Sequence, residues 1–198
     1  MSGRLHIDIA AVEEAAKLLY IRALKLLPDD IKRGFARLDA AETDGTARTI
    51  LATMIENIAV AEKTDNLLCQ DTGIPIFNVE IGRDVEVDGI ALKDAIRRGT
   101  ARATKEYPLR SSVVHPITRK NEHTSSGIRV PVINIDFVDA PATLRIEMIP
   151  KGSGSENGSF LKMLIPADGI DGIKTFVIDR VMEAGGKVCP PTIVGVGI

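Results

Sequence analysis

The stretch "VPVINIDFVDAPATLRIEMIP", Val130 to Pro150, decides the fold class. Apolar and polar residues alternate through 130–138 and again through 142–150, which is the period of a half-buried strand. Asp139-Ala140-Pro141 between the two runs carries turn chemistry, so an antiparallel strand pair is expected. On the N-terminal side, "IPIFNVEIG" (74–82) and "DVEVDGI" (84–90) read as extended chain with turns at Gly82-Arg83 and Asp88-Gly89. Between the extended runs, "ALKDAIRRGTARATKEY" (91–107) has helical character and is ended by Pro108.

The first third is helical throughout. From Asp8, the residues Ile9, Val12, Ala16, Leu19, Ala23 and Leu26 recur at spacings of three and four until Pro28 stops them. Asp29 or Asp30 is positioned to cap a shorter helix carrying Ile31, Phe35 and Leu38. A third stripe uses Ile50, Met54, Ile58 and Ala61, and ends at the polar break Thr64-Asp65-Asn66. Near the other end, "GIKTFVIDRVMEAGG" (172–186) predicts a helix stopped by Gly185-Gly186, and "TIVGVGI" (192–198) is strand-like. The expected class is therefore mixed α and β (α+β). A helical N-terminal third is followed by a largely antiparallel sheet with flanking helices, in one domain over 1–198. The apolar, glycine-spaced ending predicts a piece of something longer, or an end that rests on a partner.

Composition narrows the functional classes. The 198 residues are 44% hydrophobic but only 4% aromatic, without Trp, so the core must be aliphatic. A net charge of -2 gives no electrostatic reason to expect nucleic acid or an anionic membrane. No apolar run approaches the roughly 20 residues that span a bilayer. The N-terminus has acidic residues inside its apolar stretch, unlike a signal peptide. Two cysteines without a secretory signal point to a reducing, cytoplasmic setting rather than a disulfide framework.

Chemistry concentrates in a few places. "CQDTGIPIF" (69–77) contains Asp71-Thr72-Gly73, the triplet of aspartic proteases. Such proteases are nearly all-β, and here "EIGRD" follows the triplet too soon for the intervening hairpins. An Asx-type turn closed by Gly73 is the simpler reading. "KGSGSENGSF" (151–160) follows a predicted strand, and its glycines let backbone amides approach an anion. It matches neither a Walker loop nor a dinucleotide fingerprint. Ser155, Glu156 and Asn157 are placed to cap a helix with Phe160, Leu161 and Leu164 on one face, which would make a carboxylate or phosphate site. Cys69 and Cys189 lie in no CxxC pair, which excludes zinc-finger and thioredoxin motifs. Their stiff settings suit ligands held on loops, although lone cysteines are more often small buried hydrophobes. His6, His115 and His123 have no metal spacing. His6 reads as surface, and the other two fall in the loop "VVHPITRKNEHTSSGIRVP". Arg110 in "PLRSSVV" opens an apolar run, so it either snorkels or reaches for an anion.

Three of these pieces together, "CQDTGIPIF", "KGSGSENGSFLKML" and "CPPTIVGVGI", resemble the class I (iron-sulfur) fumarate hydratase and L(+)-tartrate dehydratase family. The likeness is to the alpha subunit, or to the N-terminal domain of the single-chain form. The resemblance implies a [4Fe-4S] cluster held by three cysteine thiolates, with one iron left open for substrate. Cys69 and Cys189 match two metal ligands, and Asp71 matches the catalytic acid/base. Gln70, Arg110 and Gly152 match positions that contact the dicarboxylate substrate. The implied reaction is hydration and dehydration of a small dicarboxylate: fumarate to (S)-malate, or alternatively L(+)-tartrate to oxaloacetate. A beta subunit or C-terminal domain is the implied partner, in a homodimer of alpha-beta units. The third cysteine is expected beyond Ile198, so the isolated chain is expected to be inactive. "TRKNEHTSSGIRVP" departs from the family's glycine- and asparagine-containing segment. The competing reading is a non-catalytic, truncated assembly module.

Overall fold

The structure is a computed structural model and describes residues 4–198. In chain order the elements are β1 (Leu5–His6), α1 (Ile9–Lys25), α2 (Asp29–Ala41), α3 (Gly45–Thr64) and β2 (Ile74–Gly82). They continue as β3 (Val85–Glu86), α4 (Gly89–Glu106), β4 (Val132–Val138), β5 (Leu144–Lys151), α5 (Ser153–Asn157) and α6 (Gly169–Ala184). The class is mixed α and β, as the sequence predicts. The described residues form two compact units, one of residues up to 27 and 56–152, the other of 28–55 and 153–198.

The first unit is organised by β2. Its side chains alternate strictly, with Phe77, Val79 and Ile81 buried. These three meet Val12 and Ala16 of α1 and Leu92, Ala95 and Ile96 of α4 in one core. Each fully buried side chain of this size stabilises by roughly 1.5–3 kcal/mol. The opposite face mixes polar pairs with apolar residues: Asn134 donates to Asn78 (2.9 Å) and Arg145 pairs with Glu80 (3.7 Å), whereas Ile76 lies in register with Val132 and Ile149.

Strand pairing differs from the expectation. β4 and β5 do not form a hairpin; both flank β2, in the order β4-β2-β5. β4 runs parallel to β2 and β5 antiparallel to it, so the sheet is mixed. The segment after β4 crosses the end of β2 at Gly82, whose amide donates to the Thr143 carbonyl (2.8 Å). A Cβ at Gly82 would lie 2.1 Å from the Ala140 carbonyl oxygen, so the crossing requires glycine. The turn chemistry at 139–141 is real, but it turns the chain over a strand rather than into a neighbour.

Other local readings are corrected too. Asp88 is the N-cap of α4, accepting from Ile90 and Ala91, and Gly89 is already helical. α2 starts after Pro28, which places Asp29 and Asp30 in its first turn, where they favour the positive helix end without capping it. The helix expected over 160–164 is absent: helical geometry falls instead on 153–157, and Pro166 leaves too few residues for another helix. Residues 192–198 pair with no strand among the described residues and are irregular. Gly185 does stop α6, with φ +47°. In this second unit, the Arg180 guanidinium lies over the Phe160 and Phe176 rings (5.5 and 5.8 Å). None of the described helices is long and apolar enough to cross a membrane.

α1 and α4 cross closely at Gly99. Around the crossing, Glu13 pairs with Arg98 (2.6 Å) and Arg102 (3.1 Å), and Lys17 pairs with Glu106 (3.1 Å). These pairs are solvent-screened, so the core rather than the charges holds the helices. A Cβ at Gly99 would stand 2.4 Å from the Glu13 carbonyl oxygen and 2.9 Å from the Ala16 Cβ. Gly99→Ala should therefore cost about 1–3 kcal/mol in urea unfolding. Gly89→Ala, which meets nothing within 4 Å, should change stability by less than about 1 kcal/mol. Equal midpoints for the two variants would contradict the packing. Arg98 beside Glu13, with Arg102, holds the Glu13 carboxyl below the ordinary value. A lowered folded value contributes stability above the unfolded value, and that contribution is lost as pH falls through the folded one. Glu13→Gln should thus flatten the acid-side decline of the urea midpoint as pH falls below the ordinary carboxylate range.

Candidate active site

The chain leaves α3 and reaches β2 through residues 65–73, and this connection carries Cys69, Gln70 and Asp71. The Asx turn expected from the sequence is present: Asp71 Oδ1 accepts from the Gly73 amide at 3.0 Å. Gly73 has φ +65°, a conformation that favours glycine. A Cβ there would also lie 2.5 Å from the Lys151 carbonyl oxygen and 3.1 Å from the Gly152 nitrogen. The missing side chain thus lets the turn close against the 151–152 backbone.

Thr72 is the second clamp. It is fully buried, and its hydroxyl donates to the Arg110 carbonyl oxygen. Its own carbonyl accepts from the Tyr20 phenol at 3.1 Å. Burial pushes the Tyr20 phenol above its ordinary value, so it stays protonated and remains a donor. A third tie holds the start of the connection: Asn57 Nδ2 donates to the Leu68 carbonyl (2.9 Å), and the Leu68 amide donates to the Leu24 carbonyl (3.1 Å).

These ties bring five of the six residues picked out from sequence into one unit: Cys69, Gln70, Asp71, Arg110 and Gly152. An open cavity of about 310 Å³ is lined by Asn57, Leu67, Leu68, Cys69, Gln70, Pro108 and Arg110. Cys69 and Arg110 are exposed, and Asp71 is half-buried. Cys189, also exposed and free, belongs to the second unit. His115 is engaged locally, accepting from the Ile117 and Thr118 amides (3.3 and 3.1 Å). His6 is exposed near Glu86 (3.7 Å), as its surface reading predicts.

The donor chemistry fits part of an iron-sulfur ligand set. Both thiols are free and exposed, and the Asp71 amide donates to Cys69 Sγ (3.4 Å). A cluster with one open iron takes three thiolates, and this chain has two cysteines. Among the described residues, no three His, Cys, Asp or Glu side chains converge on one point.

Sequence reasoning missed Tyr20, Asn57 and Thr72 as parts of this site. Tyr20 had a readable signal, a lone phenol at helical spacing from Ala16 and Leu24, all of which are buried. The predicted stripe on α1 strayed to Leu19 and Ala23 because it followed aliphatic residues only.

A mixed α and β scaffold thus presents a thiol, an amide, a carboxylate and a guanidinium from connected loops, groups whose chemistry suits a small anion. Comparison with known proteins makes the assignment specific. A sequence model described as fumarate hydratase (Fumerase) matches residues 13–198, and the chain belongs to this family. It is 45% identical over 183 residues to a Methanocaldococcus jannaschii protein provisionally named L(+)-tartrate dehydratase subunit alpha, covering 91% of this chain and 64% of that one. It is 31% identical over 172 residues to the L(+)-tartrate dehydratase subunit alpha of Escherichia coli strain UTI89, covering 87% and 56%. A Geobacillus stearothermophilus protein provisionally named fumarate hydratase class I is 30% identical over 200 residues, covering 93% and 37%. The chain thus spans between about a third and two thirds of the length of these relatives. The aspartic-protease reading is set aside by the family and by the helical scaffold.

If Thr72 clamps the two loops, Thr72→Val should lower stability by about 1–3 kcal/mol, because a part-buried carbonyl loses its donor while side-chain volume is kept. Urea denaturation checks this, and an unchanged midpoint would contradict the clamp.

Proposed function

We propose that this chain is the alpha-type part, over 1–198, of an iron-sulfur hydro-lyase acting on a small dicarboxylate. The observation that carries the reading is the convergence of Cys69, Gln70 and Arg110 on one cavity, with Asp71 next along a connection whose Gly73 turn closes against the 151–152 backbone. The reaction is reversible hydration of fumarate to (S)-malate. L(+)-tartrate to oxaloacetate is the second reading, favoured by the relatives' names. A beta-type subunit or domain completes the site in a homodimer of alpha-beta units, in the cytoplasm.

Each residue has a role that its chemistry suits. Cys69 and Cys189 hold the [4Fe-4S] cluster, with a third thiolate from outside these 198 residues. When bound, the cluster supplies a Lewis acid for the hydroxyl that departs. Arg110 receives one substrate carboxylate through paired hydrogen bonds, for which a guanidinium is better shaped than an ammonium. The Gln70 amide and the Gly152 backbone orient the remaining oxygens. Asp71 carries the proton that leaves with the hydroxyl in dehydration and takes it back in hydration. Its Asx turn to Gly73 fixes one carboxylate oxygen. Leu67, Leu68 and Pro108 give the open cavity an apolar wall beside these polar groups.

The test uses the full-length chain with its beta-type partner, reconstituted anaerobically with iron and sulfide. Cys69→Ser and Cys189→Ser should each remove the cluster absorption band and the hydration of fumarate. Asp71→Asn should keep the band and lower kcat by about 100-fold or more. Activity that survives both cysteine substitutions would sink the assignment. Relative kcat/KM for fumarate and L(+)-tartrate decides between the two substrates.

A further inference from the structure

Asn57 lines the cavity together with Cys69, Gln70 and Arg110, and beyond its tie to Leu68 it has no role so far. It stands on α3 one turn before the buried Ala61. One end of its side-chain amide is committed: Nδ2 donates to the Leu68 carbonyl at 2.9 Å. A carbonyl only accepts, so this bond decides which end of the amide faces Leu68. Oδ1 is left over, and it meets no donor among the described residues.

The polar side chains around this cavity therefore offer a ligand different things. The Arg110 guanidinium has only donors, and no carboxylate of the described residues takes them up. The Gln70 amide is bonded to no described residue and can turn either end to a ligand. Asn57 offers a fixed acceptor. An ionised carboxylate is itself acceptor-only, so it gains nothing from Asn57 Oδ1 and is repelled by it. The donor that a hydroxy-dicarboxylate carries is its hydroxyl. In the reading above, the hydroxyl that departs is served by Asp71. The acceptor at Asn57 thus suits a second hydroxyl, on the carbon that keeps its oxygen.

We propose that Asn57 is a specificity-determining residue: its Oδ1 accepts from a substrate hydroxyl that the reaction does not remove, and so favours dicarboxylates with hydroxyls on both central carbons. This rests on the reading of the cavity as the dicarboxylate site. The Leu68 bond supplies the selectivity, since an amide free to turn would present a donor to a carboxylate equally well. A ligand without the second hydroxyl leaves Oδ1 to water, which an open cavity admits. The preference is therefore on the order of tenfold, well short of the factors reached by closed polar pockets.

The test pairs each tartrate with the malate of matching configuration, L(+)-tartrate with (R)-malate and D(−)-tartrate with (S)-malate. The members of a pair then differ in one hydroxyl. In the assembled, cluster-loaded enzyme, each ligand is measured as substrate or competitive inhibitor on one preparation, so the ratio within a pair does not depend on how much enzyme is folded. In the pair that binds more tightly, the parent should favour the tartrate by about tenfold, and Asn57→Leu should bring that ratio to about one. Asn57→Lys keeps a donor for the Leu68 carbonyl but has no acceptor, so it separates the tie from the substrate contact. Its added charge acts alike on both dianions of a pair, and its ratio should also fall to about one. A parent that binds the malate as tightly as the matching tartrate in both pairs would overturn the proposal. So would a parent-like ratio in either variant, which would leave Asn57 as a tie to Leu68 alone. A parent that takes up neither pair, nor fumarate, would instead remove the dicarboxylate reading beneath it.

Discussion

Gly73 has no side chain, and the Lys151 carbonyl occupies the place where one would be. Much of the first unit follows from that contact. It sets the first rung of the β2–β5 ladder, Ile74 opposite Lys151, and with it the register that buries Phe77, Val79 and Ile81. Because side chains alternate along a strand, a slip of one residue would bring Asn78 and Glu80 into the core instead. The same contact brings the Cys69–Asp71 connection against Gly152. Core register and site geometry are thus two consequences of one close approach between backbones.

The site is also economical in its supports. Thr72 is a single residue of the turn, yet its hydroxyl reaches the Arg110 segment and its carbonyl reaches α1 through Tyr20. Cys69, Gln70 and Arg110 are exposed and Asp71 is half-buried, while Tyr20 and Thr72 behind them are buried. Rigidity behind an open, reactive face is what a site needs when it must hold a substrate carboxylate and a proton donor at fixed separation.

Much of this was legible in the sequence, for particular reasons. The helices declared themselves by apolar spacing and by stops such as Pro28, Pro108 and Gly185. β2 declared itself by strict alternation. The partners of β4 and β5 were not legible, since alternation identifies a strand but not its neighbour. Only the crossing at Gly82 reveals that β2 lies between them. "TIVGVGI" has strand composition but no ladder partner among the described residues, and strand propensity is largely a measure of such partners. The candidate residues Cys69, Gln70, Asp71, Arg110 and Gly152 were picked out through the motif resemblance, and all five lie in the first unit. Their supports were not, because Tyr20, Asn57 and Thr72 act through hydrogen bonds to residues distant in the chain, which leave no local pattern.

The central claim is that the Cys69–Asp71 connection and Arg110 form one dicarboxylate site. Its most direct test is an anaerobic crystal structure of the assembled, cluster-loaded enzyme with malate bound. The account predicts a malate carboxylate within about 3 Å of the Arg110 guanidinium, and the Asp71 carboxyl within hydrogen-bond reach of the malate hydroxyl. Malate bound away from both residues, with Arg110 turned to solvent, would contradict it.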